Sequence, residues 1–150
     1  MKIYLDFDGT VVEHFYPQMG RVNFGCLEVI RRLQDAGHEI ILNTYRVEFK
    51  NGTLAASLEF LNTHAWAYLK PDTPKDFYPH PIEKHTETKL HPWPWDWDVM
   101  HMEGIIMIDD VAAGIPLKPA VMLPGQMVDW DVLNLEFDAH GIYSLVKNEQ

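Results

Sequence analysis

The 150 residues give room for one domain with a normal core, and 47% hydrophobic against 23% charged residues is a globular balance rather than a disordered one. A formal net charge of −10 without a dense lysine or arginine cluster argues against binding duplex nucleic acid, although a bound divalent cation can reverse the field locally for a phosphorylated ligand. No apolar run reaches the roughly 18 residues of a membrane span, and no leader with a cleavage site is read at the N-terminus. The single cysteine, Cys26, excludes an internal disulfide and a thiolate zinc cage. These features lead us to expect a cytoplasmic protein without a membrane partner, with Cys26 a small buried residue on a helix.

In chain order, residues 2–5 read as a short buried strand that runs into the turn Asp6-Phe7-Asp8-Gly9-Thr10. Residues 11–22 form a loop containing Pro17 and Gly20. Asn23 is expected to cap a helix over 24–36, with Leu27, Ile30 and Leu33 inward and Gly37 as its stop. A second strand covers Glu39 to Asn43. Asn51-Gly52 makes a turn into a helix over 53–63, with Leu54, Leu58 and Leu61 inward. Trp66 to Leu69 reads as a third strand, Gly104 to Ile108 as a fourth buried on both faces, and Ala120 to Leu123 as a fifth. Asp129 caps a last helix from Trp130 to about Ala139, ended by Gly141.

Alternation of strands and helices predicts an α/β fold with a mostly parallel sheet. Sites in such sheets lie beyond the carboxyl ends of the strands. Asp6 and Asp8 follow strand one, Thr44 and Arg46 follow strand two, and Asp109 and Asp110 follow strand four, so all six are expected at one edge. The stretch 70–103 reads as an insertion: it holds six of the ten prolines, four of the eight histidines, and Trp93, Trp95 and Trp97. The three indoles are expected either to pack on the core or to stack on a ligand or a second copy, which makes a homodimer a candidate assembly. His80, His85, His91 and His101 fit no standard zinc spacing.

The residue types point to phosphoryl chemistry. Carboxylates at neighbouring strand ends supply the oxygen ligands that magnesium requires. Such a cation screens a carboxylate nucleophile from the phosphate it attacks. A nucleophile of this kind divides hydrolysis into two steps through an acyl phosphate. Asp8 is near enough to protonate the leaving alkoxide if neighbouring carboxylates and partial burial raise its pKa. Thr44 can hydrogen-bond a phosphoryl oxygen, and a lysine can neutralise charge on the transferring group.

The run Asp6 to Thr10 after Ile3-Tyr4-Leu5 resembles motif I of the haloacid dehalogenase-like (HAD) superfamily. Ile40 to Thr44 is similar to its motif II, and Ile105 to Asp110 to its motif IV. The stretch from Asp8 to Pro17, with Gly114-Ile115-Pro116, resembles short members that lack a cap domain. Neither the dozen or so residues after Thr10 nor the segment before the fourth strand is long enough for a typical cap. The resemblance implies a Rossmann-like three-layer sandwich and a magnesium-dependent aspartyl-phosphate mechanism. It makes Asp6 the nucleophile and Asp8 the acid/base. The metal would be held by Asp6, the Asp8 main-chain carbonyl and Asp109, with Asp110 assisting. Gly9, Thr10, Asn43, Arg46 and His14 are expected to contact substrate. Lys89 is the favoured motif III lysine, with Lys70 and Lys84 as rivals. The expected activity is hydrolysis of a small phosphomonoester, a sugar phosphate or a nucleotide. A phosphotransferase of the same mechanism and a non-catalytic domain binding a phosphorylated ligand or protein are the alternatives.

Overall fold

The computed structural model describes residues 1–65 and 81–144. The expected third strand at 66–69, Lys70 and His80 lie outside the described residues. The described chain is mixed α/β, with strands β1 (Lys2–Leu5), β2 (Glu39–Leu42) and β3 (Ile105–Ile108) in a parallel sheet of order β2-β1-β3. Register places Ile3 beside both Ile40 and Ile106, and Leu5 beside both Leu42 and Ile108. These six side chains share one face of the sheet and are buried, while Lys2, Tyr4 and Ile41, which alternate with them, are less so.

Helix α1 (Cys26–Asp35) packs on β2 and turns Cys26, Leu27, Ile30 and Leu33 into the core. Asn23 does not cap it. Gly25, at φ +88°, occupies the N-cap, while the buried Asn23 amide donates to the carbonyls of Thr10 and Val128. Two buried carbonyls need donors there, and that requirement outweighs the capping preference of asparagine. Burial also pushes the Cys26 thiol well up, so it remains protonated and inert.

Helix α2 (Thr53–Glu59) runs into a π-helical turn, Phe60–His64, where Phe60 meets the ring of Phe7 edge-on at 6.1 Å. Helix α3 (Trp97–Glu103) is capped by the Asp96 carboxylate and closed by Gly104 before β3. Helix α4 (Trp130–Ala139) is capped by Asp129, as its sequence indicates. The indoles of Trp95 and Trp97 both donate to Glu136 Oε1 on α4, and Trp97 stacks on His140 at 4.1 Å. Those two indoles therefore serve packing, whereas Trp93 is exposed.

The segment Ala120 to Leu123 is not a strand. It joins the antiparallel strands β4 (Leu117–Pro119) and β5 (Gln126–Val128). Pro119 and Pro124 flank it and cannot donate to a ladder. The N–H groups of Met122 and Leu123 bond the buried carboxylate of Glu13 instead of a neighbouring strand. No helix among the described residues is long and apolar enough to cross a membrane.

His38 ties the fold's edges together. Its Nδ1 lies 2.8 Å from the Met1 ammonium and its Nε2 lies 2.7 Å from the Ile142 carbonyl, so the ring must be neutral with its proton on Nε2. Burial, aided by the nearby ammonium, lowers its pKa below 6.5. A lowered folded pKa gives stability that is complete above the unfolded value and is lost as pH falls through the folded one. The urea midpoint should therefore drop on acidification below about 6.5, and less steeply in His38→Gln. Equal slopes in the two proteins would remove His38 as a source of that dependence.

Candidate active site

The ends of β1, β2 and β3 bring the acidic residues together. Asp6 N–H donates to Ile108 O and Asn43 N–H donates to Leu5 O, so the three segments remain in register just past the strands. Asp6 and Asp109 are buried and Asp110 is partly buried. Oxygens of the three carboxylates lie within 4.8 Å of one another. Gly9 makes this approach possible. It sits at φ +82°, and a Cβ there would lie 2.4 Å from Asp110 Oδ2.

Lys89 enters the cluster from a distant part of the chain. Its Nζ donates to Asp6 Oδ1 at 2.9 Å, Asp109 Oδ2 at 2.6 Å and Asn43 O at 3.0 Å. The Asn43 side chain accepts from Leu90 N–H and donates to Leu90 O, which pins the adjoining backbone. Glu48 accepts the Lys89 N–H at 2.8 Å. Upstream, Lys84 O and Thr86 N–H bond β2 at Leu42. Lys84 itself is exposed, paired with Glu39 and away from the cluster.

The electrostatics follow from this crowding. Burial, reinforced by the Asp109 charge, raises the pKa of Asp6 well above its ordinary value despite the opposing ammonium of Lys89. Burial is also the main cause that raises Asp110, with Asp109 adding to it. For Lys89, burial acts to lower the pKa, but Asp6 and Asp109 outweigh it and the net shift is upward. Thr10 is fully buried and donates to Asp6 Oδ2 at 2.9 Å, so it orients that carboxylate rather than facing a ligand.

Asp8 and Arg46 are paired with each other. The guanidinium donates from Nε to Asp8 Oδ2 at 2.8 Å and from Nη2 to Oδ1 at 2.7 Å. Its remaining donors reach Gln18 O and Thr53 O, and Arg46 is 1% exposed. The nearest partner of Asp8 is thus a cation, not the neighbouring carboxylates expected from the sequence. Thr44 caps a 3-10 turn, Tyr45–Glu48, with Oγ1 accepting the Arg46 N–H.

A cavity of about 290 Å³ opens over the cluster and is lined by Asp6, Asp8, Thr44, Arg46, Lys89, Asp109 and Asp110 from the sequence reading. His14 lines it as well, exposed and close enough to Asp110 for their charges to interact. Gly9, Thr10 and Asn43 are not in its lining. Tyr16, Tyr45, Phe49 and Val111 are in it and were missed from the sequence, although each lies within a few residues of a site residue on the same sheet edge.

No family model, curated protein or solved structure matches the chain.

The donor set suits a hard divalent cation: three carboxylates, all oxygen, at one strand edge. The charge balance agrees. Asp8 is paired with Arg46, and among the described residues Lys89 is the one lysine or arginine paired within the other three, so carboxyl groups outnumber basic ones in a largely buried place. Among the described residues, the histidines of the 81–103 stretch form no comparable group with other candidate ligands.

Proposed function

We propose that the chain is a magnesium-dependent phosphohydrolase with a HAD-like fold and no cap domain, acting on a small phosphomonoester. The observation that carries this reading is the convergence of Asp6, Asp109, Asp110 and Lys89 at the carboxyl edge of a parallel sheet. The motif resemblance supports the same chemistry, and the surplus negative charge supports the metal.

In this mechanism, an Asp6 oxygen attacks phosphorus, an O–P bond forms to Asp6, and the bond to the leaving alkoxide breaks. Thr10 and Lys89 hold Asp6 in place, and Lys89 faces the charge that develops on the transferring group. Magnesium, when bound, supplies charge neutralisation between the carboxylates and the phosphoryl oxygens. To act as the acid, Asp8 must release at least one of its two bonds to Arg46 and take a proton from solvent, which it then gives to the leaving alkoxide. Water then attacks the phosphoryl group, Asp8 takes the water's proton, and inorganic phosphate leaves with Asp6 regenerated.

The Asp8–Arg46 pair favours a second reading, in which the site binds a phosphorylated ligand without turning it over. Hydrolysis of a generic aryl phosphate separates the two. We expect phosphate release that stops when a chelator removes magnesium and returns on its readdition. Full activity in chelator would refute the metal assignment, and no release under any condition would favour the binding reading.

A further inference from the structure

The proposed chemistry uses the carboxylate floor of the cavity but not its wall. Tyr16, Tyr45 and Phe49 line that wall. Tyr45 and Phe49 are 47% and 46% exposed, and the Tyr16 ring lies 5.4 Å from that of Phe49. The wall begins at the floor, because the Tyr45 ring centroid is 5.3 Å from Lys89 Nζ. Apolar ring surface is thus held against water beside the reacting groups, where a ligand would cover it.

The charges and hydrogen bonds limit what that ligand can be. Lys89 is committed to Asp6 and Asp109, and Arg46 to Asp8, so among the described residues the lining offers no uncommitted lysine or arginine for a second anionic group. A leaving group with hydroxyls but no ring would leave the ring faces of that wall uncovered. Tyr16 Oη already accepts from Asn51 Nδ2 at 2.9 Å, and Phe49 has no polar atom to offer. A flat, uncharged ring can cover the ring faces of Tyr45 and Phe49 while its polar edge remains in water.

We propose that the leaving alcohol carries an uncharged planar aromatic ring, as in a nucleoside monophosphate, which stacks on Tyr45 and Phe49 while the phosphate sits on the carboxylate floor. This specificity rests on the phosphohydrolase reading above. The decisive comparison is kcat/KM for adenosine 5′-monophosphate against ribose 5-phosphate in magnesium. The two share the scissile bond and the primary alcohol and differ by the base. A preference of roughly tenfold or more for the nucleotide is expected from stacking. Tyr45→Ala and Phe49→Ala should each bring the ratio towards one. Equal kcat/KM values, or a preference that survives both substitutions, would overturn the proposal.

If the wild type hydrolyses neither compound, the phosphohydrolase reading fails for this class and the wall is judged by binding alone. Saturation transfer from protein to the adenine protons of adenosine 5′-monophosphate, lost in Phe49→Ala, would sustain the stacking site. Absence of transfer in the wild type would remove it. Both substituted side chains are exposed, and circular dichroism confirms that the variants retain their fold before either result is read.

Discussion

Asp6→Asn is expected to abolish phosphate release, by on the order of 10⁴-fold or more, while raising the stability of the metal-free protein. The two effects have one cause. Asp6 is buried against Asp109, and its pKa is raised well above 3.8. A raised folded pKa means that the favourable contribution is complete below the unfolded value and is lost as pH rises through the folded one. Above the unfolded value the buried carboxyl of Asp6 therefore costs stability that a neutral amide does not. The asparagine oxygen can still accept from Thr10, and Lys89 retains Asp109, so the local frame survives. The stability gap between variant and wild type should widen as pH rises through that raised value. Thermal melts across pH, run beside the aryl phosphate assay, test both parts. Near-wild-type turnover in the variant would remove Asp6 as the nucleophile. Loss of a cooperative melt would show instead that the carboxylate is needed for folding.

The sheet was legible because its strands are short apolar runs with polar stops. Ile105 to Ile108 lies between Gly104 and Asp109, and an apolar run of four residues so closely bounded is short for a helix. The same logic misled at Ala120 to Leu123. Its apolar composition matches a strand, but Pro119, Pro124 and the distant carboxylate of Glu13 divert its backbone groups. Asn23 misled for a related reason, since two buried carbonyls from remote segments claim the amide that local preference assigns to a helix. In each case a long-range hydrogen bond decided the outcome, and the sequence window carries no sign of it.

The site divides along the same line. Asp6, Asp109 and Asp110 could be placed on one edge because each follows a strand of a parallel sheet. Which lysine joins them could not be read from spacing. It depends on Asn43 holding Leu90, a contact spanning 47 residues. Arg46 and Asp8 were both read as facing a ligand; burial of the guanidinium turns them towards each other, because a buried cation requires a partner. The aromatic wall went unnoticed because Tyr45 and Phe49 are ordinary loop residues until the turn after β2 sets them beside Lys89.

Lys89→Met should be the most destabilising single change at the site. Methionine preserves much of the apolar stem but removes the ammonium shared by Asp6 and Asp109, and neither carboxylate has another cationic partner within 4.0 Å among the described residues. Breaking a buried ion pair by deleting one partner costs roughly 3–5 kcal/mol. The Lys89 pKa is raised from 10.5 because the two carboxylates outweigh burial, so its contribution is complete below that unfolded value and is lost only as pH rises through the still higher folded one. The loss from deleting the ammonium itself should therefore hold constant across the neutral range, whereas the gain from Asp6→Asn grows as pH rises. Magnesium should recover part of it, since a second cation can serve the same oxygens. A double-mutant cycle with Asp109→Asn makes the assignment specific. If Lys89 acts by neutralising the cluster, the second substitution should restore stability to Lys89→Met, although it destabilises or leaves unchanged the wild type. Additive losses would mean that Lys89 acts through packing of its stem, and the role proposed for it opposite a transferring phosphoryl group would then need another basis.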